Sequence, residues 1–449
     1  MCWSNPVSDV RVPIAAGTYI AGRYANRHGL ITGTTGGGKS VTLIKLAEGF
    51  SDAGVSTFVV DAKGDLSALA RSTPTRFLDV FGEHGQPARL SMERLGVELL
   101  ARVLELSDAQ AGVLDVLFAY AQARRVSVHS VMDLNAIIRA VRAESEAVRH
   151  QFGHVTPTTL NAIGRAVLRL EREGARQAFA VDSFNFASLF GERDNGTTID
   201  GRGPVNVLSA TRLLRAPSLY AAFILYLLQD LFDRMPEAGD LDRPRLVLFI
   251  DEAHLLFQDS PPAIVQRVER IIRLIRSKAV GVYLVTQSPA DIPPTIAGQL
   301  GNRIQHALRG ATPADARAIR AAADSLPSNP RIDAAAAIGR LGVGEALVST
   351  IGPRGEPNLV EQVRVELPRC PLGVLAPDER PAVELPAPSL VTSAAAPGTL
   401  DGVVAAEGPT ILDALLVAAV LAGLGVFAVF YWRWALGALL GLLLFLRRR

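Results

Sequence analysis

Gly33-Thr34-Thr35-Gly36-Gly37-Gly38-Lys39-Ser40 fits the phosphate-cradling pattern G-x-x-x-x-G-K-[ST] in full, and its reading decides the fold. Each residue type has a task there. The glycines let the backbone of Gly33, Thr34, Thr35, Gly36, Gly37 and Gly38 wrap closely round a polyphosphate, with successive N–H groups turned inward. The helix that follows offers the positive end of its dipole to the same phosphates. Lys39 is placed to reach the β- and γ-phosphates of ATP, and the Ser40 hydroxyl to ligate Mg²⁺. The flanks agree: Gly29-Leu30-Ile31-Thr32 reads as a short buried strand and Ser40 to Ala47 as a helix. A glycine-rich surface loop is the plain alternative, and the strand–loop–helix context counts against it.

Composition sets the bounds. The chain has 449 residues, 49% of them hydrophobic and 20% charged, enough for one large or two ordinary globular units. A net charge of +2 gives no whole-chain support for nucleic-acid binding, although a local basic lining is compatible with it. Only Lys39, Lys45, Lys63 and Lys278 are lysines, so arginine carries nearly all the positive charge and Lys39 stands out as a rare choice. Cys2 and Cys370 form neither a metal-ligand spacing nor a disulfide framework, which fits a reducing cytosol. The first residues hold no apolar stretch of signal-peptide length, so the ATP site is expected inside the cell.

Outward from the loop, five regions separate. Residues 10–90 alternate β-type runs with glycine turns and form the first part of an α/β core; the run Val55 to Val60 ends in the polar loop Asp61-Ala62-Lys63-Gly64-Asp65. Residues 91–200 change to helical period. Ser107 to Gln110 resembles a capping box, and Thr156-Pro157 opens a helix with Leu160, Ile163, Val167 and Leu170 on one stripe and Gly174 as its stop. This block reads as an all-helical insertion. Residues 201–366 return to alternation, with a buried helix at Leu219 to Phe232. Strands are expected at Arg245 to Ile250, Gly281 to Thr286, Arg303 to Leu308 and Glu345 to Thr350, implying a mostly parallel sheet. Residues 367–410 are rich in Pro and Ala and read as a linker, and 411–449 as a hydrophobic membrane tail.

The second half of a nucleotide site follows the buried strand that ends at Ile250. Asp251 would hold the Mg²⁺ shell, while Glu252 would orient and deprotonate the attacking water. An acidic pair capping a helix is the plain alternative. Gln287, directly after the next strand, can donate and accept, and so can sense the γ-phosphate or position the water. Arg276 is the first candidate for an arginine that neutralises transition-state charge from a neighbouring subunit, with Arg303 second. His254 completes the letters Asp-Glu-Ala-His of a helicase box, but the arginine-rich signature such helicases carry late in the chain is missing. It reads instead as a structural residue at a helix start.

These strings resemble the HerA-like and FtsK-like branch of P-loop ATPases, and its YjgR-type proteins in particular. The resemblance rests on Tyr24 to Ile31, Asp61 to Ser67, Phe249 to Phe257, Leu274 to Tyr283, Val285 to Pro289 and Gln299 to Arg309, and covers roughly residues 10–366. It implies a RecA-like core, ring-shaped homo-hexamers with ATP between subunits, and movement along double-stranded DNA. It also implies that Gln287 and Arg276 serve catalysis, the arginine across the subunit interface. Two departures stand out. The stretch before Gly33 leaves no room for the N-terminal β-barrel of HerA proteins, and the hydrophobic tail is foreign to the YjgR pattern.

In that tail, Ala414 to Trp432 is an uncharged apolar run of 19 residues, about 28 Å long as a helix and close to the hydrocarbon thickness of a bilayer. Insertion would gain roughly 3–6 kcal/mol. A shorter apolar run, Ala435 to Leu446, leads to Arg447-Arg448-Arg449, whose charge favours the cytosolic side and hence a hairpin over a single crossing. A soluble partner-binding helix is the alternative. The expected protein is therefore an Mg-dependent ATPase motor acting on DNA, tethered to the inner face of the cell membrane. The competing reading is a membrane-anchored ATPase that drives a transport, secretion or conjugation machine without handling DNA.

Overall fold

In the computed structural model, the described residues are 10–180, 184, 189, 200–239, 241–258, 262–310, 312–376 and 379. The expected membrane tail at 411–449 and most of the expected linker lie outside them. Among the described residues no helix is long and apolar enough to cross a membrane.

The strands are β1 (Arg11–Ala15), β2 (Thr18–Ala21), β3 (Gly29–Thr32), β4 (Ser56–Asp61), β5 (Thr75–Asp79), β6 (Gln86–Pro87), β7 (Val205–Ser209), β8 (Leu246–Ile250), β9 (Val280–Thr286), β10 (Asn302–His306), β11 (Glu345–Ser349) and β12 (Glu361–Arg364). β1 and β2 form a separate antiparallel hairpin. The other ten make one sheet in the order β12-β11-β10-β3-β9-β8-β4-β7-β5-β6. From β10 to β6 all neighbours run parallel, while β11 and β12 add an antiparallel edge. The continuous apolar runs explain the centre: β3, β4, β8 and β9 are buried at every position, as strands covered on both faces must be.

This order positions the site. Parallel strands point their carboxyl ends the same way, so loops that follow β3, β9, β8 and β4 gather along one sheet edge. Neighbouring strands stand about 4.8 Å apart, so β3 and β8 lie roughly 10 Å from one another with β9 between them. The phosphate loop closes into the helix Lys39–Asp52, whose inner face carries Leu43, Ile44, Ala47 and Phe50 into the core. Phe50 packs against Phe249 of β8 and Tyr283 of β9, at ring separations of 6.1 and 5.9 Å. Truncating that ring to alanine would cost about 3–5 kcal/mol and loosen the helix that carries the loop.

The stretch from Met92 to Ala178 is helical, as its period predicts. The Ser107 N–H donates to Gln110 Oε1 at 3.0 Å, and Thr156 caps Pro157–Arg172 by accepting from the Thr159 N–H at 3.1 Å. Several expected strand limits shift by a residue or two. The largest shift is at β10, which stops at His306 because Ala307 turns its carbonyl to the phosphate loop, accepting from the Thr34 N–H at 2.9 Å.

Candidate active site

The phosphate loop is braced from below by a residue the sequence reading left without a role. His306 ends β10, alongside β3; its Cβ and backbone lie under Gly33 and its ring under Gly38. Burial pulls its proton affinity down to about 4, against the Glu345 carbonyl and with help from Lys39. The ring is therefore neutral. Nδ1 lies 2.9 Å from the Glu345 carbonyl, which can only accept, so Nδ1 carries the proton. Nε2 then accepts from the Thr42 hydroxyl at 2.9 Å, tying the loop's helix to the sheet. A Cβ on Gly33 would stand 2.5 Å from His306 Cβ, and Gly33 has φ of +149°, so only glycine fits there.

Lys39 is buried and folded onto its own loop. Its ammonium donates to the Gly33 carbonyl at 2.5 Å and the Thr34 carbonyl at 3.1 Å. Burial and then Lys63 loosen its proton, while Glu252 and Asp251 oppose them. The loop that carries Lys39 follows β3, and the acidic pair follows β8, with β9 alone between the two strands. Ser40 follows on the first turn of the helix, and Thr35 and Gly36 face solvent at the loop's crown.

Asp251 and Glu252 leave β8 at its carboxyl end, both buried. Tyr220, fully buried on the helix Pro217–Arg234, donates its hydroxyl to the Asp251 carbonyl and pins the turn. Glu252 sits at φ 49° and ψ 44°, a left-handed conformation that costs a non-glycine residue about 1–2 kcal/mol. That strain re-aims its carboxylate. Oε1 receives the Lys63 ammonium at 3.0 Å, and Oε2 lies 3.4 Å from Nδ1 of His254. Burial raises the Asp251 carboxyl to about 6, against Lys63 and with Glu252. A buried acid so disposed gains from a cation. The Ser40 hydroxyl and the Asp251 carboxylate are hard oxygen donors, the kind Mg²⁺ takes when waters and phosphates complete its shell. Among the described residues no group of three or more His, Cys, Asp or Glu could hold a metal without such help.

Gln287 directly follows β9, between the loop and the acids, and is exposed. It lines a cavity of ≈ 360 Å³ with Thr34, His254, Ser288, Asp291 and Arg309. His254 is the second residue of a short 3-10 turn, Ala253–Leu256, and it lines the cavity with Nδ1 3.4 Å from Glu252 Oε2. Arg276 is not with these residues. It opens the short turn before β9, exposed at the opposite end of a strand whose seven residues span roughly 23 Å. Arg303 is committed within its own chain, its guanidinium donating to the carbonyls of Leu300, Ala297 and Ser325. The second candidate for a finger thus holds the chain around β10 together.

Lys63 is a site residue that sequence reasoning quoted without assigning. Asp61, buried at the end of β4, accepts from the N–H groups of Gly64 at 2.7 Å, Leu66 at 3.2 Å and Lys63 at 3.3 Å. That collar turns the loop so that Lys63 reaches the end of the adjacent β8. Burial, with Asp65, lifts the Asp61 carboxyl to about 7. For Lys63 burial works against the proton, but Asp251, the Glu252 hydrogen bond and charge, and Asp65 outweigh it. Its scarcity was the available signal, since two of the chain's four lysines meet at this one site.

A phosphate loop on β3, an acidic pair on β8 and a polar residue on the strand between them define the class, a RecA-like P-loop NTPase fold. The family is narrower. Residues 11–73 and 69–392 match the sequence profile of the helicase HerA-like C-terminal family, and the chain belongs to it. The DNA double-strand break repair helicase HerA of Saccharolobus solfataricus is 24% identical over 339 residues, 72% of this chain. The chain spans 61% of that relative's length. Among solved structures, the plasmid coupling protein TrwB in complex with ADP and Mg²⁺ is 17% identical, with a TM-score of 0.60 over 82% of this chain and 91% of that one. VirB4 of Thermoanaerobacter pseudethanolicus is 14% identical, with a TM-score of 0.53 over 83% of this chain and 99% of that one. At such identities the likeness is one of fold.

Proposed function

We propose that the protein is an Mg-dependent ATP hydrolase that works as a ring-forming motor on double-stranded DNA. What supports the reading is that the phosphate loop after β3 and the acidic pair after β8 stand on the same sheet edge with only β9 between them, in a chain of a helicase-related family. The residues divide the work as follows. The loop N–H groups and Lys39 bind the triphosphate, with Lys39 exchanging the Gly33 and Thr34 carbonyls for phosphate oxygens. Ser40 and Asp251 would hold Mg²⁺, whose charge would offset that developing on the transferred phosphate. Glu252 takes the proton of the attacking water, and Gln287 positions that water from the neighbouring strand. Arg276, far from its own chain's site, faces the nucleotide of an adjacent subunit in a homo-hexamer. Support for DNA as the track comes from the family and from the named helicase relative.

The test is ATP turnover with and without duplex DNA, run beside a mass measurement with nucleotide present. Stimulation that weakens as salt rises, together with a hexameric mass, is the expected result. An unstimulated ATPase that ignores duplex DNA would favour the second reading, an ATPase anchored at the inner membrane face that energises a transport or conjugation machine. The apolar run Ala414 to Trp432 is the observation that favours this alternative, and a membrane tether is compatible with either. Detergent-free recovery of the full chain in the soluble fraction would remove the tether.

A further inference from the structure

Lys63 occupies the place the chemistry needs vacated. Glu252 must hold a water with its carboxylate, yet Oε1 is paired with the Lys63 ammonium at 3.0 Å. Among the described residues Oε2 has no hydrogen-bond partner, and it lies 3.4 Å from Nδ1 of His254. Lys63 is presented by a collar of backbone bonds on the buried Asp61, so its backbone is fixed while its half-exposed side chain can swing. Its charge is felt at Lys39, which places two ammonium groups at the site. An ammonium carries three donors and Glu252 uses one of them. A γ-phosphate arriving beside Glu252 brings negative charge against negative charge, and Lys63 is the cation already at hand.

We propose that Lys63 senses the γ-phosphate: it pairs with Glu252 in the nucleotide-free site and transfers to ATP, selecting triphosphate over diphosphate and releasing Glu252 for the water. Lys63 is thus a positioning residue for Glu252 and a specificity determinant for ATP. ADP, lacking the third phosphate, leaves the Lys63–Glu252 pair in place. The inference rests on the ATP-site reading and is independent of DNA.

The experiment is equilibrium binding of ADP and of a non-hydrolysable ATP analogue, each with Mg²⁺, to the full chain and to three variants. Lys63→Met should weaken the analogue about 10–100-fold, the range for losing one charged hydrogen bond, and change ADP less than about threefold. Glu252→Gln, which removes the charge that holds Lys63 without altering Lys63 itself, should tighten the analogue about tenfold. In the double variant Lys63→Met with Glu252→Gln that gain should vanish. Equal loss of both nucleotides in Lys63→Met, no gain in Glu252→Gln, or a gain that survives in the double variant would each overturn the proposal. Failure of the unaltered chain to bind either nucleotide would instead remove the ATP site itself.

Discussion

Replacing Gly33 by alanine should disable the phosphate loop by two additive effects. Gly33 continues β3 beside the end of β10, at φ of +149°, a backbone region reserved for glycine that costs other residues about 1–3 kcal/mol. Its new Cβ would meet His306 Cβ at 2.5 Å and the His306 Cα and carbonyl carbon at 3.2 and 3.3 Å. Those are two backbone atoms of β10 and the Cβ of a side chain whose ring is held by Thr42 and Glu345, so they cannot swing aside as a flexible side-chain end would. Overpacking of that kind adds about 1–3 kcal/mol. The sum, about 4 kcal/mol, is a large share of the roughly 5–15 kcal/mol available to a domain. Urea denaturation of the full chain should show the loss as a lower midpoint, and nucleotide binding should fall even under conditions where the variant is folded. A stability change below about 1 kcal/mol with unchanged nucleotide affinity would refute the argument that His306 and Gly33 shape the loop together.

Three further outcomes are expected. Tyr220→Phe leaves the Asp251 carbonyl without its buried donor and should cost about 1–3 kcal/mol in denaturant unfolding, whereas an unchanged midpoint would remove the pin. His28 is buried, accepting from the Val282 N–H at 3.0 Å and donating to the Ile272 carbonyl at 2.7 Å; burial lowers it from 6.5 to about 4. Its neutral form is the folded one, so its stabilising contribution is complete above about pH 6.5 and is lost as pH falls toward 4. The stability advantage of the native chain over His28→Gln should therefore shrink by about 2 kcal/mol between pH 7.5 and 5, and a constant difference would contradict the assignment. Arg276→Ala should be inactive alone yet regain turnover when mixed with Lys39→Ala subunits, because each supplies what the other lacks at a shared interface; no recovery would count against action in trans.

Much of the fold was legible because its signals are local. A phosphate loop announces a strand before it and a helix after it, and the short, β-branched apolar runs before Asp251 and Gln287 have the length and bounds of buried strands. Capping at Ser107 and Thr156 likewise needs no tertiary knowledge. The site was legible where one residue type must stand at one place, as with Lys39, Asp251 and Glu252. It was illegible where spatial order decides. The placing of β4 beside β8 turns Lys63 from a loop residue into the partner of Glu252, and sequence spacing cannot give that neighbour. His306 is hidden for the same reason, since it reaches the loop only through the pairing of β10 with β3. The left-handed turn at Glu252 had no glycine or asparagine to mark it, because its strain is held by Tyr220 from another element. The bonds of Arg303 were illegible because its partners are backbone carbonyls, which leave no trace in side-chain identity.

If the two segments form one site, nucleotide held by the early loop is hydrolysed by water that the acid following β8 activates. Single-turnover hydrolysis of ATP prebound to Glu252→Gln measures this most directly. The substitution keeps size and shape, and the amide oxygen can still accept from Lys63, so ATP binding by the Lys39 loop can be read apart from cleavage. ATP should remain bound while its cleavage slows about 10²–10⁴-fold, the range for losing a positioned general base. Cleavage at the native rate, with ATP bound through an intact Lys39 loop, would contradict the single-site claim.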